Sequence, residues 1–176
     1  MNEIVKKNGV TYGIITGAVS ILITTLIYTI DLNLFTSMWI GLINILFYIV
    51  IGIILLSKTK KELKGVFPFK QAFTTYFISA VIGILMSVVF NIILFNYVDP
   101  AAKDTIKELS IKYAVEMMEK FDAPSSAVKI AVAEMEKNDQ FSASQLLKGS
   151  FFTIAFSAVF GLILAAIFKT KTNYNE

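Results

Sequence analysis

Apolar residues gather in four long runs free of Asp, Glu, Lys and Arg: 9–30, 35–56, 71–98 and 149–168. At 1.5 Å per residue the first run gives about 33 Å of helix, enough to cross the hydrocarbon of a bilayer. Lys6 and Lys7 precede it, as they would in a secretory leader. The run is longer than a leader's apolar core, however, and no small-residue cleavage pattern follows. It is therefore expected to stay as a first span. Asp31 to Leu34 leaves room only for a turn, so spans one and two form a hairpin, with Trp39 in the interfacial belt. The third run, at twenty-eight residues, exceeds the hydrocarbon thickness and must tilt or protrude.

Between spans three and four the pattern changes. Asp99-Pro100 reads as a helix cap followed by a first-turn proline. Ala102, Ile106, Leu109, Tyr113, Met117 and Phe121 then recur at spacings of three and four, opposite Glu108, Lys112, Glu116 and Glu119. Asp122-Ala123-Pro124 breaks this helix. A shorter one follows with Val128, Ala131, Val132 and Met135 inward, ending at Asn138-Asp139-Gln140. Ser142 or Ser144 would cap the last helix. The whole is predicted as one all-α membrane domain, 1–176: four transmembrane helices, with an extracytoplasmic amphipathic helical pair at 99–148.

Charge orients it. Five lysines, Lys58, Lys60, Lys61, Lys64 and Lys70, fall in thirteen residues between spans two and three. With two lysines at each terminus, that face carries nine lysines against three acids. The opposite face has seven lysines against ten acids, dispersed through the insert. Lysines set tight against span ends stay in the cytoplasm. Both termini and the lysine loop are thus expected inside, in the cell (inner) membrane, with the insert outside.

Composition removes most chemistry. The chain is 56% hydrophobic and has no Cys, His or Arg. Thiolate nucleophiles, imidazole bases and the usual zinc sites are thereby excluded, as is the guanidinium fork that reads phosphate and guanine. Neither enzymatic activity, nor a metal or cofactor, nor nucleic acid is expected, despite the net charge of +3.

Within the spans, small and weakly polar residues repeat every three or four positions. They are Gly9, Gly13 and Gly17 in the first and Ser37, Gly41, Asn44, Tyr48 and Gly52 in the second. The third has Ser79, Gly83, Ser87 and Asn91, and the fourth Gly149, Thr153, Ser157 and Gly161. Small residues let backbones approach, and hydroxyls or amides across a seam add about 0.6 kcal/mol each. Such stripes are expected to be helix seams. Alternatively Asn44, Tyr48, Ser87 and Asn91 line a polar cavity for a small ligand of unspecified chemistry. The reading of function follows: a non-enzymatic protein of the lipid bilayer that assembles with itself or a membrane partner through these seams and the insert. A small transporter or channel subunit, acting as an oligomer, is the alternative.

The order of parts also carries a resemblance. The lysine loop runs into Phe67-Pro68-Phe69-Lys70-Gln71-Ala72-Phe73, and the insert holds Val115-Glu116-Met117-Met118-Glu119-Lys120 and Ala133-Glu134-Met135-Glu136. This resembles the bacterial membrane-protein family known as domain of unknown function 4199. The family's Phe-Gly-Lys-Ala-Phe-type approach to span three lacks its small residue here and gains Gln71. The resemblance implies four spans in the inner membrane and brings no activity or catalytic residue.

Overall fold

The computed structural model describes residues 2–170; Lys171 and the polar tail 172–176 lie outside the described residues. Four long apolar helices have the length and composition to cross a membrane. They are α1 (Glu3–Ile30), α2 (Met38–Glu62), α3 (Phe69–Ile93) and α6 (Ala143–Phe168), with α4 (Pro100–Lys120) and α5 (Ser125–Lys137) between the last two. A 3₁₀ turn, Leu32–Thr36, joins α1 to α2, and α3 runs on through a π-turn, Leu94–Val98.

The helices outreach the apolar runs that betray them. Helix α1 begins at Glu3 because Asn2 caps it by accepting from the Ile4 amide. Helix α2 starts at Met38, so Phe35 belongs to the 3₁₀ turn, and it continues past Leu56 to Glu62. Lys58, Lys60 and Lys61 therefore sit on its last turns rather than in a loop. Cations there oppose the negative end of the helix dipole, which favours the extension. Only Lys64 lies in the connection, at φ 52°, before Gly65 at φ 86°. Lys70 falls in the first turn of α3. Helix α6 starts at Ala143, capped by Ser142.

Helices α1 and α3 run parallel in a fixed register. Gly9 faces Ile78, Gly13 faces Ile82 and Gly17 faces Met86. A methyl group on Gly13 would lie 2.7 Å from Ile82 Cβ and 3.1 Å from the Ser79 carbonyl oxygen. From the other side Gly83 receives Thr16, and Ser20 donates to Ser87 at 2.9 Å. The glycine stripe is thus consumed inside the chain. Helix α6 lies on the opposite flank of α3, where Gly161 admits the Tyr76 ring at 2.6 Å from a would-be Cβ.

At one end of the bundle the two sides of the lysine loop and both described termini meet. Asn8 donates to Thr59 and to Glu62, while the Lys58 ammonium stands 5.5 Å above the Tyr12 ring. The Thr170 amide donates to the Phe67 carbonyl, and the Thr170 hydroxyl accepts from the Phe67 amide. At the other end α4 docks by its first turns. Ala102 and Ile106 are buried with Leu94 and Phe95. Asp99 caps α4 by accepting from the Ala102 amide and also accepts from the Tyr28 hydroxyl at 2.8 Å. The Tyr28 hydrogen bond, ahead of the Ala102 amide, holds the Asp99 carboxyl below the usual carboxylate range.

The inward face expected of α4 is only half realised. Ile106 is 1% exposed, Leu109, Tyr113 and Met117 are half-buried, and Phe121 is 77% exposed. The reason is that α4 leaves the bundle after two turns and is then covered by α5 alone. The Lys103–Asp139 ion pair, at 2.8 Å, ties the base of α4 to the end of α5.

Two outcomes follow. Gly13→Ala should lower unfolding stability in detergent by about 1–3 kcal/mol through overpacking. Gly41→Ala, at a position with nothing within 4 Å, should change it by less than about 0.5 kcal/mol; thermal melts of both variants check this. For the insert, Ile106→Cys should react slowly with a membrane-impermeant thiol reagent and Phe121→Cys quickly. Equal rates would mean that α4 does not dock.

Candidate functional site

Helices α2 and α6 touch near the lysine end and part toward the insert end. Near the lysine end Leu56, Phe67, Tyr76, Leu164 and Ala165 form one buried cluster. Gly52 makes this possible, because a Cβ there would stand 2.9 Å from the Tyr76 ring and 3.2 Å from Leu164. Toward the insert no residue of α2 before Gly52 is buried, and Gly149 at the start of α6 has nothing within 4 Å. The two helices therefore enclose, with α3 behind them, a half-open cleft of about 480 Å³.

Its walls have an order. Tyr76 and Ser157 form the floor, where the Ser157 hydroxyl donates to the Tyr76 oxygen at 3.4 Å. Ile45 and Ile49 on α2, Ile84 and Val88 on α3, and Phe156 and Phe160 on α6 form the sides. Gln140 and Gln145 stand at the mouth, just before and within the first turn of α6. No carboxylate, ammonium, imidazole or thiol is among the lining side chains. Hydroxyls and amides in an apolar wall can hold a guest by packing and hydrogen bonds. They supply no group that would titrate near neutral pH.

The stripes read from the sequence divide between seam and cleft. Gly13, Gly17 and Gly83 serve the α1–α3 contact, and Gly161 serves the α3–α6 contact. Tyr48, Ser79, Ser87 and Ser157 line the cleft. Ser79 and Ser87 do both, since the Ser79 carbonyl meets Gly13 and the Ser87 hydroxyl accepts from Ser20. Asn44 and Asn91 do not line it. Asn44 satisfies its amide on the Ile40 carbonyl of its own helix, and Asn91 points its amide at Ser87 at 3.4 Å. Of the four residues expected around a polar cavity, Tyr48 and Ser87 line this mostly apolar cleft and Asn44 and Asn91 do not.

Thr16, Tyr76, Gln140 and Gln145 were not legible as site residues. Tyr76 had one usable signal: an aromatic on span three needs small partners, and Gly52 and Gly161 provide them on the two flanking spans. The glutamines had none, because their position depends on where α6 begins.

No curated protein and no solved structure matches the chain. A family match does exist, covering residues 11–170, from the third turn of α1 to the Thr170 that closes onto Phe67. The chain belongs to this family, described as protein of unknown function (DUF4199).

Proposed function

We propose that this is a non-enzymatic membrane protein that works by holding another membrane component, and that the α2–α6 cleft is where it does so. The carrying observation is the cleft itself: a half-open, uncharged recess between α2 and α6, which pack against each other only near the lysine end. Glycine seams were the expected assembly surfaces, but those of α1, α3 and α6 are filled by the chain's own side chains. The cleft and the insert are the surfaces left for a partner or a second copy. A conduit through one chain would have to open the Leu56–Phe67–Leu164 cluster at the cleft floor. That favours a holding role over transport.

The orientation belongs to the same proposal. The lysine end, with Lys58, Lys60, Lys61, Lys64 and Lys70, faces the cytoplasm of the cell (inner) membrane along with both termini, and α4 and α5 lie outside. An alkaline-phosphatase-type reporter fused near Ala123 should be active and one near Lys61 silent; the reverse pattern would refute this orientation.

A photoreactive benzoylphenylalanine tests the holding role. At Thr153, inside the cleft, it should give a discrete adduct by mass spectrometry of protein irradiated in its native membrane. At Val159, 54% exposed and outside the cleft, it should give only heterogeneous lipid adducts. Indistinguishable products at the two positions would remove the proposal.

A further inference from the structure

Depth is the most informative property of the cleft. Lys148 and Lys169 bracket the apolar part of α6, so its midpoint falls near Ser157. Trp39 and the lysines after Ser57 bracket α2, so its midpoint falls near Tyr48. Both midpoint residues line the lower cleft. From Gln145 to Ser157 is twelve residues, about 18 Å along the helix. Half the hydrocarbon of a bilayer is about 15 Å. The cleft therefore runs from the headgroup zone on the insert side to the bilayer centre, the reach of one leaflet.

Polarity restricts the guest. The side walls are mostly apolar, with hydroxyls at Ser79, Ser87, Ser150 and Thr153, and the side-chain amides are at the headgroup end. Charge restricts the head. The lining has no ionised group, Lys103 is paired with Asp139, and Lys107 donates to the Glu136 carbonyl. Lys148 is exposed and lies outside the lining. An empty cleft among acyl chains would forfeit the dispersion contacts of its walls.

We infer that the cleft holds one hydrocarbon-tailed amphiphile with a head of zero net charge, its tail between α2 and α6 and its head at Gln140 and Gln145. The inference rests on the holding role proposed above and names the guest. The tail enters sideways from the leaflet on the insert side and ends against Tyr76 and Ser157. The two glutamine amides offer donors and acceptors to ester, hydroxyl or phosphodiester oxygens of the head.

Native mass spectrometry of the full chain in detergent micelles doped with phosphatidylcholine provides the test. Wild type should retain one phosphatidylcholine per chain. Gly149→Phe fills the upper cleft at a position where a side chain meets open space, and should cut that occupancy at least tenfold with an unchanged melting temperature. Ser157→Leu, which obstructs the floor, should do the same should Gly149→Phe fold poorly. Gln140→Leu combined with Gln145→Leu should reduce it several-fold, and phosphatidylglycerol should compete less well than phosphatidylcholine. Equal retention by wild type and both filling variants would overturn the inference, as would preferential retention of phosphatidylglycerol. If a protein adduct nevertheless forms at Thr153, the cleft has a guest and only its identity as an amphiphile fails.

Discussion

The structure depends on how closely α1 can approach α3. In a bilayer no hydrophobic force drives helices together, because lipid tails are as apolar as leucine. Close packing and hydrogen bonds across the seam must do it instead. Three glycines one turn apart remove the side chains that would hold the α1 backbone away, so the carbonyls of Thr75 and Ser79 come near Gly9 and Gly13. The Ser20–Ser87 bond closes the seam toward its upper end. As first and third spans, α1 and α3 enter from the same side, so glycines and partners match in ascending order.

Once α1 and α3 form a tight pair, the other spans have less to hold. Helix α6 gains a contact where Tyr76 of α3 enters the gap left by Gly161, with Leu164 and Ala165 buried in the same cluster. Helix α2 is fixed mainly at its lysine end, through Gly52, Leu55, Leu56 and Thr59. The Asn8 amide reinforces that end by donating to Thr59 and Glu62. Burial is therefore graded along the bundle, dense at the lysine end and sparse between α2 and α6 at the other. The cleft is the geometric remainder of a four-span chain with one strong pair, one moderate pair and one helix pinned at its end.

Much of this was legible in residues, and the failures have physical reasons. Uncharged length gave four spans, and the Asp99-Pro100 cap gave the start of α4. Gly9, Gly13, Gly17, Gly52, Gly83 and Gly161 of the stripes lie in helix seams, whereas Gly41 and Gly149 face open space. What stripes do not say is which helix fills them, because periodicity fixes a face and leaves its neighbour open. That is why Asn44, on the same face as Tyr48, turned out to bond its own helix. The end of α2 was misplaced for a different reason. Lysines mark where apolar sequence stops, whereas the helix stops where the backbone turns at Lys64 and Gly65. The buried role of Phe121 failed because amphipathicity was assumed to require a continuous partner, and α4 keeps its docking contact only through Ile106.

An opening between two helices would collapse unless something held them apart, and Phe95 is placed to do so. It is fully buried in the turn that ends α3. The Phe35 ring, from the segment leading into α2, packs against it edge-on at 5.7 Å. The Phe141 ring, from the segment leading into α6, packs against it at 4.5 Å. Asn96 adds a hydrogen bond to the Phe141 carbonyl. The starts of α2 and α6 are thus both fastened to one side chain, and the width of the cleft mouth is fixed by an aromatic cluster outside the cleft. Ala102 and Ile106 of α4 press on the same cluster. The first turns of α4 and the segments leading into both walls of the cleft thus share one packing centre, placed by the π-turn at Phe95.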